Sequence, residues 1–76
     1  MFNSSQVADR IKSTAHSRGI LVKDLLMSCE LSKNTLSSMK SGGFFPRAES
    51  LVNIADHLDC SVDYLLGRTD NPEVNR

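Results

Sequence analysis

Apolar residues recur along this chain at intervals of three, four and seven, the repeat of one buried helix face, and no strand is expected. Val7, Ile11 and Ala15 stand four apart between Asn3 to Gln6, which resembles a capping box, and Gly19, a stop signal. They predict a first helix from about Ser5 to Arg18. Leu25, Leu26 and Cys29 predict a second, about Val22 to Cys29, which starts without a capping oxygen at Leu21 and must be held by burial. The stripe breaks at Glu30 and Leu31, so a turn sits there. Ser32 then offers a hydroxyl to the amides beyond it, and Leu36 and Met39 restart the stripe, predicting a third helix from about Lys33 with those two residues inward.

The stretch S-G-G-F-F-P reads as a loop, because the glycines permit unusual backbone angles and Pro46 keeps Phe45 out of helix. Phe44 and Phe45 are expected to anchor this loop on the core, although two adjacent rings in extended chain cannot readily face one way. A fourth helix, about Arg47 to Leu58, puts Leu51, Ile54, Ala55 and Leu58 on one face, with Glu49 at its positive end. Ser61 caps a short fifth helix through Leu66, with Asp63 in its first turn, Val62, Leu65 and Leu66 as its apolar contacts and Gly67 as its stop. The expected architecture is a compact all-α bundle of five helices over residues 1–69, followed by a polar tail, 70–76. At 76 residues, one core must use nearly every apolar side chain.

Composition narrows the function by exclusion. No apolar run approaches the roughly 18–20 residues that span a bilayer, and M-F-N-S-S lacks the basic-then-apolar order of a secretory signal. A cytoplasmic protein with no membrane partner is expected. Cys29 and Cys60 fall on apolar helical positions and read as buried thiols; with His57 they lack a four-ligand metal spacing, so no metal or other cofactor is expected, and His16 reads as a surface residue. A Cys-His nucleophile needs a cleft that so short a chain has little surface to form, and no phosphate loop or paired-acid motif is present. Neither catalysis nor a small-molecule ligand is expected.

Charge changes the picture by its distribution. Nine basic and nine acidic residues cancel, which by itself argues against a nucleic-acid partner. Yet residues 31–48 carry Lys33, Lys40 and Arg47 with no acid, whereas residues 49–76 hold six acids against two arginines. Lys33, Asn34, Ser37, Ser38 and Lys40 thus surround the outward side of the third helix as hydrogen-bond donors on a local basic patch, chemistry suited to the edges of DNA bases.

Two segments, L-S-K-N-T-L-S-S-M-K-S-G at 31–42 and L-D-C-S-V-D-Y-L-L-G-R-T-D at 58–70, resemble the turn with recognition helix and the closing helix of Cro and phage-repressor proteins, the XRE family of helix-turn-helix proteins. The resemblance spans about residues 5–69. It implies a lambda-repressor-like five-helix fold, and a sequence-specific regulator of transcription, a repressor of phage or mobile-element type, bound as a homodimer to a double-stranded DNA operator. It places base reading on Lys33, Asn34 and Ser38, with Ser37 on the adjacent edge. Lys33 suits guanine acceptors, Asn34 suits two-point pairing with adenine, and Ser38 serves either base or a phosphate. Lys40, Ser41 and the loop from Gly42 to Arg47 match positions that grip the DNA backbone, and Lys23 and Ser32 add to them at helix starts. Tyr64, Leu65 and Leu66 resemble the family's self-association surface; the plainer alternative is that they complete the monomer core.

The chain departs from the family pattern at five positions. Leu26 stands where a small residue is usual and Glu30 where the turn has Gly, so a different angle between the motif helices is expected. Ala15 and Lys40 replace both members of a frequent Arg–Glu pair, which avoids a stranded charge and is expected to free Lys40 for DNA. Val22 replaces a Gln that usually touches phosphate. These departures keep two other readings open on the same fold: a protein-interaction module with weak or no DNA binding, and an antitoxin-type autoregulator.

Overall fold

The structure, a computed structural model, describes residues 3–71, and among them the chain forms five helices and no strand. They are α1 (Ser4–Ser17), α2 (Val22–Ser28), α3 (Thr35–Lys40), α4 (Ala48–Leu58) and α5 (Val62–Leu65). The all-α architecture is as the spacing predicts. Of the expected 70–76 tail, residues from 72 onward lie outside the described range.

The packing is organised around α1, which touches each of the other four helices. Its buried face is Val7, Ala8, Ile11 and Ala15, the four-residue repeat together with the alanine beside it. Against that face the fully buried Leu25, Met39, Ile54, Leu58 and Leu65 close the core, so every helix contributes to it. Asn3 caps α1, its side chain accepting from the Ser5 amide at 2.8 Å. Ser61 does the same for the Tyr64 amide at the start of α5, at 3.0 Å. Leu21 makes no cap for α2 and is itself exposed. That helix is held by burying Leu25 and Leu26, as its sequence required.

All five helices end in one way. A residue with positive φ follows each, its amide bonding back three residues and the next amide bonding back five, at 3.0–3.2 Å and 2.8–3.1 Å respectively. This is the Schellman closure, which satisfies carbonyls at the helix end that otherwise lack partners. Gly19, Gly42 and Gly67 serve α1, α3 and α5, but Glu30 (φ 58°) and Asp59 (φ 54°) serve α2 and α4. Glu30 therefore does not remove the left-handed turn for which the family uses glycine. It adopts that turn at a steric cost of about 1–2 kcal/mol. Leu26, the other departure beside the turn, is 2% exposed, so the larger side chain is housed inside.

Three expectations need correction. Helix α3 begins at Thr35, not Lys33, because Ser32 builds a tight turn ahead of it: Ser32 Oγ accepts from the Asn34 amide at 3.1 Å, while the Ser32 carbonyl accepts from the Thr35 amide and hydroxyl at 3.0 and 2.7 Å. Thr35 is consequently buried with Met39, four residues on, and Leu36 is only half-buried. Phe44 and Phe45 are 41% and 37% exposed rather than anchored in the core, where Pro46 of the same loop is seated instead. Once Pro46 takes the inward place, two adjacent rings of a short loop have no room to follow it. Leu65 is 1% exposed and belongs to the core, so it is withdrawn from any self-association surface. A one-turn helix in so small a domain must spend an apolar side chain on the interior.

The two cysteines are free and buried, and desolvation pushes both thiols above their ordinary range. Arg18 partly offsets the rise at Cys60. Cys29 Sγ lies 3.7 Å from His57 Nδ1, but that nitrogen is 2.8 Å from the Asn53 carbonyl, to which it donates. The nitrogen is then unable to accept the thiol proton, and the contact is not an acid–base pair.

Candidate nucleic-acid interface

The segment from α2 to α3 displays its polar residues because its apolar ones are fixed from behind. Thr35 and Met39 point α3 into the core, and Ser4 Oγ of α1 donates to the Met39 carbonyl at 2.8 Å. With that side pinned, Lys33, Asn34 and Ser37 are exposed and Ser38 is half-buried at the edge. The expected reading residues are thus brought onto one outward strip, two from the turn and two from the helix proper. Ser38 is the most constrained, its carbonyl accepting from Ser41 Oγ at 2.9 Å and from the Gly43 amide at 3.1 Å.

Asn34 occupies the N-cap of α3 yet makes no capping hydrogen bond through its side chain. Asparagine is among the best capping residues because its oxygen can accept from a first-turn amide. Here the Ser32 hydroxyl takes the Asn34 amide and the Thr35 hydroxyl turns back to Ser32, leaving the Asn34 carboxamide outside the cap. Its donor and acceptor make no hydrogen bond among the described residues, which leaves both available for two-point recognition.

The residues expected on the DNA backbone fall around this strip. Ser32 and Ser41 flank α3, with the Ser41 hydroxyl turned onto the Ser38 carbonyl. Lys23 is exposed in the first turn of α2, and Arg47 is exposed as the N-cap of α4. Lys40 corrects an expectation: its Nζ lies 2.6 Å from Asp9 Oδ1 of α1, so it is not free. The family's Arg–Glu pair is replaced by one of opposite polarity, its acid drawn from α1 six residues before Ala15. The segment that carries no acid in sequence therefore carries one in space.

Sequence reasoning missed Thr35, Ser4 and Asp9. Ser-x-x-Thr at 32–35 was readable as a turn with a back-bonding hydroxyl. Nothing local marks Ser4 or Asp9, which meet α3 across 35 and 31 residues of chain.

With this geometry in place, the comparison with protein families decides the class. The model of the Cro/C1-type HTH DNA-binding domain matches residues 10–71. The chain belongs to that family. No curated protein and no solved structure matches it. As a Cro/C1-type domain it is a DNA-binding regulator, with α2 and α3 in the place of the helix-turn-helix pair. The family match begins at Arg10, so Ser4 and Asp9, the two side chains of α1 that bond to the end of α3, lie outside the matched residues. Among the described residues no helix is long and apolar enough to cross a membrane, and no group of three or more His, Cys, Asp or Glu side chains could hold a metal ion.

Proposed function

We propose that this Cro/C1-type domain is a sequence-specific repressor, of phage or mobile-element type, that occupies a palindromic operator as a homodimer and excludes the polymerase sterically. The observation that carries the reading is the uncapped Asn34 within the strip Lys33, Asn34, Ser37 and Ser38. With the turn and the start of α3 in the major groove, Asn34 pairs with adenine, Lys33 donates to guanine acceptors, and Ser37 and Ser38 serve bases or the adjoining phosphates. Lys23, Ser32, Ser41 and Arg47 supply contacts to the sugar-phosphate backbone, joined by Lys40 when it leaves Asp9. Tyr64 and Leu66, both half-buried, remain the candidates for self-association once Leu65 is assigned to the core.

Selecting binding sites from random duplex DNA tests this directly. A palindromic consensus is expected, because half-site spacing mirrors the two-fold axis of a dimer. If a dimer neutralises ~8 phosphates, log affinity against log salt falls with a slope of about −7. A pool that enriches no site, with a slope near zero, overturns the reading in favour of the protein-interaction module.

A further inference from the structure

Among the described residues, Lys33 and Arg47 have no carboxylate partner, whereas Lys40 is held by Asp9 at 2.6 Å. We propose that Asp9 is a built-in competitor of the DNA backbone: its carboxylate occupies Lys40 Nζ in the free domain and thereby sets how tightly DNA of any sequence is held. The inference rests on the DNA-binding reading above and names the residue that tunes it.

Exposure makes exchange feasible. The two side chains are 53% and 58% exposed, so the pair is solvated and weak, and an incoming anion can approach the ammonium without unpacking anything. The backbone around Lys40 is fixed. Met39 is fully buried and its carbonyl is tied by Ser4 Oγ at 2.8 Å, so the end of α3 stays seated on α1. Choosing between carboxylate and phosphate then needs only rotation of the flexible lysine stem, whose ammonium is a point charge that accepts either anion. The DNA phosphate has an advantage that Asp9 lacks, because lysine binding releases a condensed counterion from the duplex. That advantage shrinks as salt rises.

Asp9 is thus a positioning residue that acts through Lys40 and touches no base. Its removal strengthens binding without altering which sequence is preferred.

The test compares the full chain with Asp9→Asn, Lys40→Met and the double variant. Binding is measured by fluorescence anisotropy on the selected operator and on an unrelated duplex, from 50 to 200 mM potassium chloride, conditions over which phosphate contacts are strongly salt-sensitive. Asp9→Asn is expected to tighten binding to both duplexes by about 3–10-fold at the lowest salt. Lys40→Met should weaken both, and Asp9→Asn should then add nothing. Melting temperatures should stay together, because an exposed pair adds little to stability.

An Asp9→Asn domain that binds no more tightly overturns the proposal. So does a gain confined to the operator, or one that persists undiminished in the Lys40→Met background, since the latter would be bare repulsion between Asp9 and DNA. If the wild-type chain binds neither duplex, the DNA-binding reading fails and takes this inference with it. A wild-type chain that binds, with no response to Asp9→Asn, removes this inference alone.

Discussion

Asn34 shows how one side chain's function depends on a neighbour's hydrogen bond. In isolation it reads as the cap of α3, yet the Ser32 hydroxyl and the Thr35 back-bond organise the turn without it. Two consequences can be measured separately. Asn34→Ala should leave the melting temperature almost unchanged, whereas loss of a working cap typically costs ~1 kcal/mol. The same change should reduce discrimination at one base position by about 1–3 kcal/mol, read from affinities for operators substituted singly at each position. Equal losses on every sequence would instead assign Asn34 to the backbone. Lys40 is the opposite case, a residue whose type was legible and whose partner was not, because Asp9 lies 31 positions away.

At the scale of elements, the shared helix closure relates sequence to stability. Gly19 and Gly67 were readable as stops, and Gly42 as part of a loop, because only glycine adopts positive φ without a steric penalty. Glu30 and Asp59 adopt the same geometry with a Cβ in place. Aspartate tolerates the left-handed region better than glutamate, since its short side chain can bond locally, so Glu30 carries the larger strain. Glu30→Gly should therefore raise stability by about 1 kcal/mol, which for a domain of this size is an increase of roughly 4–8 °C in melting temperature. Thermal unfolding followed by circular dichroism checks it, and a fall in melting temperature would show that the Glu30 side chain contributes more than its backbone costs. Helices α1, α2, α4 and α5 were legible to within a residue because their stripes and stops are local. The start of α3 was not, since a hydroxyl that caps a helix and one that closes a turn look alike in sequence.

At the scale of the whole molecule, burial decides matters that periodicity leaves open. Desolvation raises the thiols of Cys29 and Cys60 in the folded state, so folding favours their protonated form. The stability linked to them is fully present below the ordinary thiol range and is lost as pH rises from about 8.5 through the raised native values. Melting temperature should accordingly fall as pH is taken from 8 to 10, and replacing both cysteines with alanine should flatten that fall. An unchanged slope in the double variant would place the alkaline sensitivity elsewhere. The hub position of α1 also belongs to this scale, because one helix that touches all the others couples the seating of α3 to the core and leaves its outer strip exposed.

By itself, the chain's sequence determined that five helices form, the glycine stops after α1 and α5, most of the core and the run of donors from Lys33 to Ser38, because each is set by interactions among residues within a turn or two of one another. Only the tertiary structure decided that Leu65 lies inside and Pro46 replaces the phenylalanines at the loop, since competition for a fixed interior volume has no local signature. The same holds for Lys40 and Asp9. Their pairing requires α1 and α3 to be packed side by side, and no spacing along the chain encodes the distance between two surfaces that meet only on folding.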